Sequence, residues 1–473
     1  MRPVPWRDDP DCGHDVAQAF QTHYCTYIRT PRLLTLQSQA APADLLLLTA
    51  HQWYELWFSV LRADLEAAVA GDGTTYEPIK LLRRGSELFR LFDLHADLVE
   101  PAIVRGLGLA RPLSDGGHNP PSAPLEAILG LSRRLPRLAK LPYPGLAAAA
   151  EDYTARLRSF RARYQGFTRA TLPAGGETAP SYAEWLRLPE LLALQEGVKS
   201  AWTPAGQAPQ GHWAPEEVSA DERMFIVVHQ AFEVWFKVML DQIDQAVPAL
   251  FAGDIPLATA LARRVGLVQR LLVAQIQIPA TMLPLDFMRF RDMAQERDGQ
   301  VLKTGLTPAS GTESYQFREI EIVSGLRDDP VFQKYLAGSD KLPIRLLTPR
   351  QRERLGQPTL PEAFRHALRQ RGVERLDAVF SPSDVPNPNM DLAVLADALL
   401  EFDEFFRFWR QSHVSMVEKM IGARSGTGFL GPEYLSETAG IRLQQRNRIF
   451  EDSQVRPRFF EELWEVRGRL AAL

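Results

Sequence analysis

The chain has 473 residues, 45% of them hydrophobic and 24% charged, with a formal net charge of −4. That length holds two or three ordinary domains, or one large domain with a repeat, and the composition is ordinary for a globular protein. The weak charge gives no electrostatic footprint for nucleic acid or an anionic membrane, and two cysteines, Cys12 and Cys25, are too few for a disulfide framework.

The first ten residues contain no apolar run of the kind a secretion signal needs. The most apolar stretch, Leu45 to Leu61, includes His51 and Glu55 and is too short to cross a bilayer. The expected setting is cytoplasmic, with no membrane or nucleic-acid partner.

Apolar residues recur at three- and four-residue spacing along the chain. Leu33, Leu34 and Leu36 are followed by Leu56, Trp57, Val60, Leu61 and Leu65. Val234, Trp235, Val238, Met239 and Ile243 form a second set, and Leu395, Leu399, Phe402, Phe406 and Trp409 a third. Alternating β-branched runs are almost absent, so the pattern predicts an all-α protein of about a dozen helices. Proline and glycine mark loops at 111–124, 171–180, 203–215 and 381–388.

One segment is written twice. Leu47-Leu-Thr-Ala-His51-Gln-Trp-Tyr-Glu-Leu-Trp-Phe58 and Phe225-Ile-Val-Val-His229-Gln-Ala-Phe-Glu-Val-Trp-Phe236 share His-Gln-x-aromatic-Glu-aliphatic-Trp-Phe at a separation of 178 residues (229 − 51). Upstream, Tyr24-Cys-Thr-Tyr-Ile-Arg-Thr-Pro-Arg-Leu-Leu-Thr-Leu-Gln37 aligns with Tyr182-Ala-Glu-Trp-Leu-Arg-Leu-Pro-Glu-Leu-Leu-Ala-Leu-Gln195 at a separation of 158 (182 − 24). Two ordered matches in register predict a duplication followed by divergence, with the halves meeting at 171–180. The halves are unequal. Only the second continues into Leu285-Asp-Phe-Met-Arg-Phe-Arg291, Thr307-Pro-Ala-Ser-Gly-Thr-Glu-Ser-Tyr-Gln-Phe-Arg318 and Trp409-Arg-Gln-Ser-His413-Val-Ser-Met-Val-Glu-Lys-Met-Ile-Gly422. In the first half Phe160-Arg-Ala-Arg-Tyr164 is the nearest analogue of the last of these, with tyrosine in the place of His413.

Nine histidines allow each setting to be weighed. His413 has Arg410, Met416, Val417, Met420 and Ile421 on adjoining helical faces, which suits a flat, apolar, iron-bearing ligand such as haem. A core histidine bonded to a carbonyl is the commoner outcome of such spacing. His229 lies between Phe225 at i−4 and Phe232 and Phe236 at i+3 and i+7, so it reads either as a base or acceptor in a dry pocket or as a passenger on a core stripe. Arg289, Arg291 and Arg318 stand among aromatics, where a guanidinium can grip a carboxylate or make a structural ion pair. No Walker loop, dinucleotide fingerprint, zinc spacing or Gly-x-Ser-x-Gly elbow is present, which argues against ATP, NAD and serine-hydrolase chemistry.

Taken in order, Phe225–Phe236, Asp286–Arg291, Thr307–Arg318, Trp409–Val417 and Gly426-Thr427-Gly428 resemble the motifs of the tryptophan 2,3-dioxygenase family, over roughly 181–435. The resemblance implies a helical enzyme carrying haem b and using O2 to open the C2–C3 bond of an L-tryptophan-like substrate to an N-formylkynurenine-type product. It implies His413 as the proximal iron ligand and His229 as the distal histidine that meets the indole N–H. It further implies Arg291 at the substrate carboxylate, Thr427 near the amino group, and Phe225 and Phe287 walling the ring. Four features depart from the family pattern: Phe429-Leu-Gly-Pro-Glu-Tyr434 in place of a glycine-serine loop, extra residues within 292–306, Trp185 where the family has a second tyrosine, and the front half itself.

In the family, the N-terminal tyrosine segment of one subunit reaches into its neighbour's site. Here Tyr24 and Tyr27 of the first copy are expected to reach the site of the second, so that one chain mimics a dimer. The expected organisation is a haem-free repeat over 1–175 and a haem-binding catalytic domain over 176–473. A homo-oligomer is expected, a dimer first. A specialised relative that inserts one oxygen atom or takes a substituted indole is a second reading, and a haem-binding scaffold without turnover a third.

Overall fold

The computed structural model describes residues 10–14, 23–38, 42–71, 74–107, 111–116, 122–195, 218–291, 294–297, 300–303, 311–338, 347–380, 384–422, 444–445, 448–449 and 458–471. The described chain is mostly α-helical, as the periodicity predicts. Helices of the front half are α1 (Tyr24–Tyr27), α2 (Thr30–Thr35), α3 (Pro42–Ala70), α4 (Glu77–Leu98), α5 (Glu100–Leu107), α6 (Ala123–Ser132), α7 (Leu135–Leu138) and α8 (Leu146–Thr171). Then come α9 (Tyr182–Leu186), α10 (Leu188–Leu192), α11 (Ala220–Phe251), α12 (Ile255–Gln275) and α13 (Pro284–Arg291). The rest are α14 (Tyr315–Val323), α15 (Pro330–Gly338), α16 (Pro349–Arg354), α17 (Leu360–Gln370), α18 (Met390–Ile421) and α19 (Glu461–Leu470).

These exceed the dozen expected because α1, α2, α7, α9, α10 and α16 run only four to six residues, too short for a periodic pattern to register. Two small antiparallel hairpins depart from a purely helical chain. One pairs β1 (Ala294–Arg297) with β2 (Gln300–Lys303), within the 292–306 insertion, and the other pairs β3 (Gln444–Gln445) with β4 (Arg448–Ile449). No single described helix is long and apolar enough to cross a membrane.

The chain divides into two compact units. The first comprises Met1–Pro10, Thr22–Val234 and Ala274–Ala309; the second comprises Asp11–Gln21, Trp235–Val273 and Ser310–Leu473. The expected division at 175/176 does not coincide with the boundaries of these units.

In the first unit α3, α4 and α8 enclose an aromatic core of Trp53, Trp57, Phe58, Phe89, Phe92, Tyr153, Phe160 and Tyr164, all buried. Gly85 makes the approach of α4 to α8 possible, since a Cβ there would lie 2.3 Å from Cε2 of Tyr153. Glycine inside a helix costs roughly 1 kcal/mol relative to alanine, and here the close packing of the Tyr153 ring offsets it. In the second unit Phe317, Phe402, Phe406 and Phe459 form the corresponding aromatic core. The buried Asp403 of α18 accepts from the backbone N–H groups of Phe459 and Phe460, both at 3.1 Å, and from Trp464 Nε1 at 2.9 Å, which fastens the start of α19.

Helix starts recur at the two sequence offsets. α9 and α10 begin 158 residues after α1 and α2 (182 − 24, 188 − 30), and α11 and α12 begin 178 after α3 and α4 (220 − 42, 255 − 77). The recurrence extends to backbone strain. Among the described residues Arg29 and Arg187, 158 apart, are the non-glycine residues with positive φ, at 55° and 51°. Each follows a short helix and is the N-cap of another with Pro31 or Pro189 in its first turn. A left-handed arginine costs on the order of 1–2 kcal/mol. The turn also leaves the carbonyl before it open to an outside donor, and in both places a buried glutamine supplies one.

Candidate active site

That donor is the glutamine of each His-Gln pair. Gln230 Nε2 donates to the carbonyls of Ile28 and Leu194, both at 3.0 Å. Gln52 Nε2 points to those of Leu36 at 3.5 Å and Leu186 at 3.4 Å, the matching residues of the opposite copies. The tyrosines are exchanged in the same sense. Tyr24 Oη, from the front segment, donates to Glu233 at 2.9 Å, and its ring meets that of His229 edge-on at 5.6 Å. Tyr182 Oη, from the later segment, donates to Glu55 at 2.9 Å, and its ring meets His51 at 5.7 Å. Each His-Gln helix thus receives its tyrosine from the other copy.

The two histidines sit in different surroundings. His51 is fully buried, with Phe167 stacked on it at 5.1 Å and Trp185 at 5.5 Å. Hydroxyls face both its nitrogens, Tyr182 at Nδ1 at 3.4 Å and Thr171 at Nε2 at 3.5 Å. Tyr164, in the place of His413, lies 6.4 Å from His51. Among the described residues these rings and hydroxyls pack directly around a fully buried His51. Burial, reinforced by the charge of His95, lowers the His51 imidazole to about 3. The adjacent Glu55 is raised by burial to about 7, against the hydrogen bonds from Ser122 and Tyr182.

His229 is only half-buried. Its Nδ1 lies 2.7 Å from the carbonyl of Phe225, one turn earlier, which assigns the N–H to Nδ1 and the lone pair to Nε2. Burial lowers this imidazole to about 4, against the Phe225 hydrogen bond, so it is neutral near pH 7. Phe225, Phe287 and Phe290 form an aromatic triangle with centroids 5.3–5.6 Å apart, next to His229 at 4.5 Å from Phe225. Tyr27 packs on Phe225 at 6.4 Å. Its buried hydroxyl has no hydrogen-bond partner among the described residues.

Five expected site residues, Tyr24, Tyr27, Phe225, His229 and Phe287, therefore come together in the first unit. Arg291 is buried on the last turn of α13, one turn beyond Phe287, with Nη1 3.5 Å from Met288 Sδ. Of the other two arginines, Arg289 is 83% exposed, and Arg318 is buried in an ion pair with Glu321 at 2.6 Å. Thr427 and the 429–434 segment lie outside the described residues.

His413 belongs to the second unit. It is half-buried on α18, stacked on Trp409 at 5.5 Å, beside the half-buried Met416 and Val417. One turn earlier the buried Arg410 pairs with Glu321 and lies over the rings of Phe317 and Phe406 at 5.2 and 5.0 Å. A partly accessible imidazole, held in orientation by a tryptophan and flanked by apolar side chains, fits an axial haem ligand. His51 does not.

Phe290, Glu233 and Gln230 in its cross-copy role join the site beyond the residues expected from sequence. Phe290 follows Phe287 at i+3, and that spacing was its available signal. Trp185, which stands where the family has a second tyrosine, packs on His51 and Tyr182.

A family model described as tryptophan 2,3-dioxygenase matches residues 175–383. The chain is 32% identical to a tryptophan 2,3-dioxygenase of Herpetosiphon aurantiacus over 309 residues, covering 62% of this chain and 99% of that protein. It is 34% identical to one of a Nocardioides species, covering 52% and 84%, and 30% identical to one of Caulobacter vibrioides, covering 61% and 98%. The chain belongs to the tryptophan 2,3-dioxygenase family.

Proposed function

We propose that this chain is a haem-dependent dioxygenase that opens the indole C2–C3 bond of L-tryptophan, or of a close analogue, to an N-formylkynurenine-type product. The observation that carries the reading is the state of His229. Its Nδ1 is committed to the Phe225 carbonyl, while Nε2 has a lone pair and no hydrogen-bond partner among the described residues. That lone pair can accept the indole N–H while Phe225, Phe287 and Phe290 exclude water from the ring. Arg291 on α13 supplies a guanidinium for the carboxylate, and Thr427 completes the proposed set at the amino group. Haem b, ligated by His413, would supply the activation of O2. The protein's share is to orient the indole and to keep His229 neutral, so that it accepts a hydrogen bond and does not repel a cation.

The front half is proposed to be a diverged copy that binds no haem. The recurring helix starts, the paired left-handed arginines and the exchanged tyrosines support duplication, and the filled surroundings of His51 support one haem per chain. A cytoplasmic setting and a homo-oligomer, a dimer first, belong to the same reading. In the test, the haem-loaded protein is reduced anaerobically and then given L-tryptophan and O2. Growth of N-formylkynurenine absorbance is the expected result. A hydroxylated product or inert haem would overturn the reading, and two haems per chain would overturn the proposal for the front half.

A further inference from the structure

The described residues of the first unit contain a buried chain of five alternating charges that the site above does not use. Arg84 of α4, fully buried, donates from Nε to Asp64 of α3 at 2.7 Å and from Nη1 to Asp221 of α11 at 2.6 Å. Lys80, one turn earlier on α4, places its ammonium 2.6 Å from Asp221 and 2.6 Å from Asp286 of α13. Its side chain is 5% exposed. Asp64, Arg84, Asp221, Lys80 and Asp286 thus run as carboxylate, cation, carboxylate, cation, carboxylate across four helices.

The two carboxylates that share Lys80 stand at telling places. Asp221 lies one turn before Phe225 and two before His229, on the same stripe of α11. Asp286 immediately precedes Phe287 and lies on the short helix that ends in Arg291. One buried ammonium therefore bridges the two helices that carry the aromatic wall, the acceptor histidine and the arginine. An eight-residue helix such as α13 has little stability of its own and takes its position from tertiary contacts. Burial alone would lower the Lys80 ammonium, but Asp221 and Asp286 outweigh that and hold it above its ordinary range, so the bridge stays charged.

The bridge is one-sided. At the offset of 178, Lys80 and Arg84 correspond to Ala258 and Ala262, and Asp64 to Gln242. The later copy has no cation at either position, whereas α4 carries both beside α11 and α13.

We infer that Lys80, backed by Arg84, is a positioning residue of the front half, setting α13 against α11 so that Arg291 and Phe287 meet the amino-acid substrate in register. The inference rests on the proposed function for the identity of the substrate, but not for the bridge itself. It gives the front half a task in the reaction that needs no haem of its own.

The experiment compares full-length, haem-loaded wild type with Lys80→Met, Lys80→Arg and Asp286→Asn, and with Leu88→Ala as a control. Leu88 is a fully buried residue of α4 outside the charge chain. Lys80→Met and Asp286→Asn are expected to raise KM for L-tryptophan about tenfold with a much smaller change in kcat, as misplaced binding groups do. Lys80→Arg, which can still reach two carboxylates, should recover most of the loss. Leu88→Ala should lower Tm and leave KM in place. An unchanged KM in Lys80→Met, or an equal rise in Leu88→Ala, overturns the positioning role. Hydrogen exchange of the peptide containing 284–291 is read in parallel and needs no substrate. Faster exchange there in Lys80→Met than in Leu88→Ala is expected, and no difference overturns the bridge. Should the wild type fail to turn over tryptophan, the proposed function falls while this exchange measurement still decides the bridge. Asp286→Asn, at the less buried end, supplies the same readings if Lys80→Met does not fold.

Discussion

His51 and His229 occupy the same place in two matching helices, and they differ mainly in what has been packed around them. At His51 the stacked Phe167, the edge-on Tyr182 and Trp185 and two hydroxyls use up the faces and both nitrogens of the ring. At His229 the backbone takes one nitrogen and the ring stays half-buried beside an aromatic triangle. Both imidazoles are neutral near pH 7, so charge does not separate them. The same motif, with its glutamine and its exchanged tyrosine, thus stands in two different packing environments.

The largest expected break in this comparison comes from the proposed haem ligand. His413→Ala should abolish stable haem binding, read as loss of the Soret band, whereas His51→Ala should leave that band at full intensity per chain. Next, Arg291→Ala should raise KM for L-tryptophan by about a hundredfold, the cost of an unpaired carboxylate in a dry pocket, with haem content unchanged. His229→Phe should lower kcat/KM about tenfold, as for a lost neutral hydrogen bond. Because burial holds His229 near 4, wild-type kcat/KM should show no inflection near the ordinary histidine value of 6.5.

A smaller effect is expected on stability at the filled site. Glu55 is raised from an ordinary 4.5 to about 7 in the folded chain. Its protonated form contributes stability that is fully present below 4.5 and is lost as pH rises through 7. Glu55→Gln, a permanently neutral isostere, should therefore gain roughly 1–3 kcal/mol over wild type above neutral pH and nothing in acid. Urea unfolding at two pH values measures this, and an equal difference at both would contradict the assignment. The smallest expected effect is that of Trp185→Tyr. Restoring the tyrosine of the family pattern should leave KM and kcat unchanged, since Trp185 packs on His51.

Much of the second copy was legible because its signals are local. Helical periodicity, the His-Gln helix and the Asp-Phe-x-x-Phe-Arg segment each lie within a few turns, and spacing alone places Phe225 and His229 on one stripe. The exchange of Tyr24 and Tyr182 was half legible. The offsets reveal two copies and point Tyr24 at the second site, but that Tyr182 and Trp185 meet His51 is a tertiary fact. Lys80 and Arg84 gave only a faint sign, two cations one turn apart on a helix whose other faces carry Ile79, Leu81, Leu82, Leu88 and Phe92. Their partners are up to 206 residues away, and no pattern in a single sequence points to them. The hairpin within 292–306 was read as an insertion without a form, because a polar stretch of that length carries no periodicity.

The bond from Tyr24 to Glu233 joins residues 209 apart in one chain. A contact made between separate subunits weakens as the protein is diluted, because its partner must be found again from solution. A contact tethered within one polypeptide keeps a fixed effective concentration, commonly on the order of millimolar for flexible links and higher when the intervening chain is folded. The tyrosine beside His229 is therefore retained at any enzyme concentration. This also changes what selection can act upon. With both copies in one reading frame, a substitution in the front tyrosine segment leaves the sequence of the histidine-bearing helix unchanged. Two surfaces that an assembly of identical chains must vary together can here be adjusted one at a time.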